Sequence, residues 1–343
     1  MVWVALQHTK KAIGRAGDTL INPLSTEEEY SQALSVLNNW RASHAFPLNS
    51  LQTSLRYRAV KITDEALITQ RLKRVPSILR KLHRFPDMKL NRMQDIGGCR
   101  AVVPTLVEVH QLRELMINDR LKSELAREYD YINSPKDSGY RGIHLVYKYQ
   151  SKNQELYNGH LIEIQIRSLI QHAWATSVEI AETFLGDSLK SGQGSPEWLR
   201  LFKLISILFA EYEGCLLKEI DTNQIRSIKQ ESTELASKLS IFEKLRAFSV
   251  VTNSTEHGNE YDKSGYFLLV LDINKKTVLV ENYSKEDQED VNNKYLALEK
   301  EYENTNVNVV LVAAESILSL KRAYPNYFAD SEYFLETLNN VLF

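Results

Sequence analysis

Residues 160–167 read His160-Leu161-Ile162-Glu163-Ile164-Gln165-Ile166-Arg167. The strict alternation predicts a strand that sends Ile162, Ile164 and Ile166 to one side and Glu163, Gln165 and Arg167 to the other. Its isoleucine back belongs in a core. Its front faces either a polar cleft or open solvent.

Working outward, MQDIGGCRAVV (93–103) supplies a second apolar strand at 99–103, directly after Asp95 and the pair Gly97 and Gly98. The glycines let the chain bend or approach a neighbour closely. Before it, Ile68, Gln70 and Leu72 alternate with Thr69, Arg71 and Lys73, which as a strand sets Arg71 and Lys73 on one face, about 7 Å apart. Pro76 suits a first helical turn, so a short helix is expected at 76–84, with Ile78, Leu79 and Leu82 inward and Lys81 elsewhere. The Pro-Lys-Asp-Ser-Gly loop of 135–139 introduces a further strand at 143–149. Helices are expected at 25–45, begun by a Ser25-x-x-Glu28 capping box, and at 105–127, 168–185, 196–218 and 223–247. Beyond them come a hairpin (266–273 with 277–283), a helix at 285–303 and a strand at 307–312. The pattern is that of an α+β protein: a mixed sheet flanked by helices in residues 1–220, a linking helix at 221–247, and a small α/β domain at 248–343.

Composition narrows the class. The chain has 343 residues, 43% hydrophobic and 25% charged, with no apolar run long enough for a membrane span. The first twenty residues are too polar for a signal peptide, and Cys99 and Cys215 exclude a disulfide framework or a Cys-x-x-Cys zinc site. A reduced, cytoplasmic protein with no membrane partner is expected. The net charge of −2 hides an asymmetry: residues 1–220 hold 29 Lys and Arg against 24 acids, whereas 221–343 hold 13 against 20. Nine of the cations fall between Arg71 and Arg100, with only Asp87 and Asp95 opposing them. Such density suits a polyanion, or else forms a solvated face.

Taken together, the front half offers cations on a strand (Arg71, Lys73) and on the next helix (Lys81), two separated carboxylates (Asp95, Glu163), and a ring on a glycine loop (Tyr140). These are parts of a phosphoryl-type transfer site. The carboxylates can hold Mg²⁺ through hard oxygen ligands, the cations neutralise charge on the transferred group, and the ring can stack on a base. No P-loop, His-Cys zinc pattern or Gly-x-Ser-x-Gly elbow is present.

The ordered set RLKRVPSILRKL (71–82), DIGGCR (95–100), DYINSPKDSGYRGIH (130–144) and IEIQIR (162–167) resembles the synthetase domain of the RelA/SpoT alarmone synthetases. The similarity covers about residues 25–220. It implies a nucleotidyltransferase-like mixed sheet that transfers pyrophosphate from ATP to a 3′-hydroxyl. It also implies roles: Arg71, Lys73, Ser77, Lys81 and Arg100 for ATP and its phosphates, Asp95 and Glu163 for Mg²⁺ and catalysis, and Lys136, Tyr140, His144, Gln165 and Arg167 around the acceptor. Glu163 would also help deprotonate the attacking hydroxyl. His144 fits a structural role as well as an acceptor contact. Two departures are mild: the usual Asn-Gly-Tyr appears as Ser138-Gly139-Tyr140, and Arg-Thr as Arg167-Ser168. No His-Asp hydrolase signature precedes the synthetase.

With its tail, the arrangement resembles the fused toxin–antitoxin branch of toxic small alarmone synthetases, the CapRel branch. That resemblance implies transfer to the 3′-hydroxyl of the tRNA CCA end and restraint by a C-terminal pseudo-zinc-finger domain through a Tyr-x-x-Tyr motif. Tyr324 and Tyr327 would carry the motif here, and a phage major capsid protein would release the restraint. Two other readings remain open at this point: an alarmone synthetase using GDP or GTP, and a catalytically inactive module that binds RNA or protein.

Overall fold

The computed structural model describes residues 3–119, 121–185, 194–217, 220–245, 253–256, 264–272, 274–275, 277–284, 286–302, 305, 307–314, 320–321 and 331–343. The strand read from 160–167 is β5 (Leu161–Ser168), the middle strand of the front half. It pairs in parallel with β2 (Gly97–Val103), Gly98 opposite Glu163, and antiparallel with β4 (Ile143–Lys148), His144 opposite Gln165. β1 (Leu67–Leu72) extends the sheet beyond β2, and β3 (Glu124–Asp130) forms its edge beyond β4.

Ile162, Ile164 and Ile166 are fully buried, against Leu48, Leu51 and Leu55 of α3 (Ala45–Ala59) and Val109, Leu112 and Met116 of α5 (Leu106–Asn118). Each contributes about 1.5–3 kcal/mol by leaving water. Covered on that side by helices, β5 presents its polar side to the opposite face. Two further helices, α1 (Lys10–Ile21) and α2 (Glu27–Ser43), close a second cluster with α4 (Val75–Arg84), which buries Ile78 and Leu82.

The structure corrects several local expectations, among them the linking helix expected over 221–247, which is interrupted at Ser240. The capping box of α2 is Thr26 with Glu29, one residue later than predicted. Strand β2 starts two residues early at Gly97, where a Cβ would come within 2.8 Å of Ile162 Cδ1. The helix expected over 105–127 stops at Asn118, and residues 124–130 form β3 instead. Glu-Leu-Ala-Arg-Glu is a good helical sequence, but ladder bonds to β4 outweigh that weak preference.

Helices α6 (Leu169–Leu185) and α7 (Pro196–Tyr212) follow β5, and α8 (Thr222–Leu239) ends where Ser240 takes a left-handed φ of 51°. β6 (Asn253–Glu256), β7 (Gly265–Asp272), β8 (Thr277–Tyr283), α9 (Gln288–Glu301) and β9 (Val307–Ala314) then build the tail. Among the described residues the tail's strands join the front half in one nine-stranded sheet of order β3-β4-β5-β2-β1-β9-β7-β8-β6, through the pairing of Gln70 on β1 with Ala313 on β9. The last helix, α10 (Glu332–Leu342), inserts Phe334, Leu335 and Leu338 among the apolar residues of α6, α7 and α8. Among the described residues no helix is long and apolar enough to cross a membrane.

Beside the β1–β9 pairing, Glu299 of α9 receives Arg41 Nη1 of α2 at 3.1 Å and the Val75 backbone N–H of α4 at 3.1 Å. Arg41 Nη2 donates to Tyr295 OH at 3.0 Å, and Arg74 donates to Asn308 at 2.8 Å. The carboxylate of Glu299 thus caps α4, which has no side-chain cap of its own. An anion at that end also complements the helix dipole. Arg41 and Glu299 are both nearly inaccessible, so Glu299→Ala leaves a buried guanidinium without its counter-charge. We expect it to lower stability by about 3–5 kcal/mol in urea titration. A loss below about 1 kcal/mol would mean that the contact does not fasten the two halves.

Candidate active site

The front of β5 carries Glu163, Gln165 and Arg167 side by side, and the register with β4 brings His144 across from Gln165. Glu163 accepts hydrogen bonds from His144 Nδ1 at 2.9 Å and Gln165 Nε2 at 2.8 Å. On the far side of the imidazole, Nε2 meets Tyr140 OH at 2.5 Å, and that phenol oxygen accepts from Arg167 Nε at 3.1 Å. Arg167 Nη2 also donates to Gln165 Oε1 at 3.1 Å.

The directions of these bonds follow from charge. Burial alone would raise the Glu163 pKa, but His144, the Gln165 amide and Lys81 outweigh it and hold the carboxyl well below the usual range. Burial pushes Tyr140 up and His144 down, which favours the protonated phenol and the neutral imidazole. The consistent assignment is Arg167 donating to Tyr140, Tyr140 to His144, and His144 to an ionised Glu163.

Asp95 sits just before the glycines of β2, with Lys73 Nζ at 3.0 Å from Oδ2 and Lys81 Nζ at 2.9 Å from Oδ1. Lys73 arrives there because its backbone N–H bonds Ile96 O at 2.8 Å, continuing the β1–β2 ladder past Leu72. Burial would raise the Asp95 pKa, yet Lys73 and Lys81 prevail and lower it, with Glu163 opposing them as a nearby like charge. Lys73 is itself shifted down by burial against the pull of Asp95.

At the other end, Lys136 Nζ lies 4.3 Å from the Tyr131 ring centre and 4.9 Å from that of Tyr140, while Arg167 Cζ stands 4.9 Å over Tyr140. Gly139 turns this loop at φ +93°, where a Cβ would meet Ser206 at 3.0 Å and the Lys203 Cα at 3.1 Å on α7. Only glycine accepts both the angle and the contact. Trp174 and Val178 of α6 and Leu199 and Phe202 of α7 form an apolar wall.

These groups enclose one cleft of about 400 Å³. Of the residues read from the sequence, Arg71, Lys73, Lys81, Asp95, Arg100, Lys136, Tyr140, His144, Glu163, Gln165 and Arg167 all line it. Ser77 stands in the first turn of α4 and is not among the lining residues. Tyr324 and Tyr327 lie outside the described residues. The cleft also contains Gln94, Tyr129, Tyr131 and Glu179, which the sequence reading passed over. The alternation Arg127-Tyr129-Tyr131 was the available signal, obscured by the helical composition just before it.

Among the described residues no group of three or more His, Cys, Asp and Glu side chains gathers as a ready metal cage. Two carboxylates facing one polar cleft do fit Mg²⁺, which binds through one or two protein oxygens and fills its shell with water and phosphate.

Residues 70–183 match the family model described as "Region found in RelA / SpoT proteins". GTP pyrophosphokinase YjbM of Bacillus subtilis (strain 168) is 36% identical over 111 residues, 32% of this chain and 52% of the relative. The probable GTP diphosphokinase CRSH, chloroplastic, of Arabidopsis thaliana is 26% identical over 217 residues, 58% of this chain and 36% of the relative. The chain therefore spans about half the length, or less, of these curated relatives. Among solved structures, small alarmone synthetase 1 from Bacillus subtilis bound to its product pppGpp aligns with a TM-score of 0.41 at 24% identity, covering 59% of this chain and 95% of that one. Most residues that line the cleft, from Arg71 to Glu179, fall within the stretch 70–183 that matches this family model.

Proposed function

We propose that this protein is an ATP-dependent pyrophosphokinase that acts on the 3′-hydroxyl of a nucleotide acceptor, with the tRNA CCA end as the preferred one. The observation that carries the reading is the pairing of Asp95, held by two lysines, with Glu163, held by His144 and Gln165, inside one cleft of a RelA/SpoT-type region. In this reaction the acceptor oxygen bonds to the β-phosphorus of ATP, the bond from that phosphorus to the α–β bridging oxygen breaks, and AMP leaves.

The residues divide the work by charge. Arg71, Lys73, Lys81 and Arg100 bind the triphosphate and neutralise charge that develops on the transferred group. Asp95 and Glu163 are the groups that would hold Mg²⁺, which supplies further neutralisation of phosphate oxygens when bound. Glu163 orients the attacking hydroxyl. A carboxylate so strongly held in its ionised form is a weak base, so it takes the proton only as the new P–O bond forms and the hydroxyl becomes acidic. Tyr140, Lys136 and the wall from α6 and α7 receive the acceptor base.

The tail is the regulatory unit in this reading. Support comes from its two attachments, Gln70–Ala313 on the strand that carries Arg71 and Glu299–Val75 on the helix that carries Lys81. Release by a phage major capsid protein remains the implication of the sequence resemblance. A GDP- or GTP-directed synthetase is the second reading, favoured by the 36% identity to a GTP pyrophosphokinase.

Incubation with γ-labelled ATP and Mg²⁺, offering deacylated tRNA, GDP or GTP, separates the possibilities, with the capsid protein added in a parallel arm. Label on tRNA is expected; label on guanine nucleotides alone selects the second reading, and label on no acceptor leaves a binding module. Glu163→Gln is expected to reduce transfer by about 10²–10⁴-fold while near-UV circular dichroism stays that of the parent. A variant retaining full transfer would remove Glu163 from the chemistry.

A further inference from the structure

Edge strand β3 carries a feature that transfer to a single nucleotide does not use. Arg127 and Tyr129 alternate along it, and Tyr131 follows just past its end with its backbone N–H bonded to Gly142 O at 3.0 Å, so the three continue one alternation. The two phenol rings are parallel within 2°, their centres 5.8 Å apart. Both rings line the cleft. Tyr131 is the inner one, packed edge-on against Tyr140 and His144 and against the hydrophobic cluster of α6 and α7. Tyr129 is the outer one, half-buried, its hydroxyl donating to Gln94 at 3.3 Å and accepting from Arg127 at 3.4 Å.

The support behind the strand is separate. Glu128, on the opposite face, is ion-paired with Arg113 of α5. Tyr129 is therefore not what attaches β3 to the domain. β3 is the edge strand of the sheet, and along it exposure rises from half-buried Tyr131 and Tyr129 to exposed Arg127.

From this geometry we infer that Tyr129, backed by Tyr131 and flanked by Arg127, is a stacking subsite for the nucleotide preceding the acceptor residue in a single-stranded 3′ end. The inference rests on the pyrophosphokinase reading and sharpens its acceptor. Deep in the cleft, Tyr140 and Lys136 serve the terminal base. A second base needs a second π-face, and its phosphodiester needs a cation; both lie next along the same strand face. Aromatic rings accept any base, and parallel rings along a sheet are a common way to hold successive nucleotides of a single strand. A mononucleotide has nothing to put there.

The test compares a fluorescein-labelled ribotrinucleotide with a labelled mononucleotide, by anisotropy titration of the full chain. The parent is expected to prefer the trinucleotide. Tyr129→Ala should lower the ratio of trinucleotide to mononucleotide affinity by about tenfold, whereas Tyr129→Phe keeps it within about twofold because the ring remains. Tyr129→Leu retains packing without a π-face and should behave as the alanine variant. A parent without preference for the longer ligand overturns the subsite, as does a ratio unmoved by either alanine or leucine. Binding is read apart from transfer, so a chain that stacks the trinucleotide yet labels no acceptor defeats the enzymatic reading and leaves the subsite standing.

Discussion

An ionised carboxylate taken out of water must be met by donors, and Glu163 imposes that demand on the middle of the sheet. Its partners come from its own strand (Gln165) and from the neighbouring one (His144), so they are in place only while β4 and β5 keep their register. A slip of one residue would turn Ile143 or Leu145 toward the carboxylate and bring the polar row into the core. The buried isoleucines and the polar chain Arg167–Tyr140–His144–Glu163 are thus two results of one pairing. Every donor in that chain is neutral or fixed by packing, which leaves Glu163 little freedom.

Asp95 is held by different physics. Its partners are two ammonium groups on flexible stems, and all three side chains keep some contact with solvent. Lysines can exchange one anion for another with little rearrangement of the backbone. In the proposed reaction, phosphates entering the cleft would compete for Lys73 and Lys81, so the charge balance around Asp95 would change on binding while that around Glu163 stayed put. One rigid and one exchangeable carboxylate suit a site that must both fix an attacking hydroxyl and admit a highly charged donor.

Much of this was legible in the residues themselves. The alternation at 160–167 gave the central strand and its two faces, and the order of the basic, glycine and tyrosine segments gathered most of the cleft. What escaped depended on partners distant in sequence. Residues 124–130 have helical composition but are drawn into the sheet by β4, which also hid the Tyr129 and Tyr131 rings. The capping of α4 by Glu299 joins positions 224 apart in sequence, and no local pattern announces it. The tail's hairpin, helix and strand were each visible, whereas their continuation of the front sheet through Gln70 and Ala313 was not.

That continuation has a consequence for the chain's solubility. β1 would be the terminal strand of the front sheet if β9 were absent, and it would offer unpaired backbone donors and acceptors between Thr69 and Arg71. Unprotected strand borders recruit other chains. By lying alongside β1 at Gln70, β9 covers that border, independently of any control over chemistry. Cutting the chain after α8 therefore exposes that border as well as removing the tail.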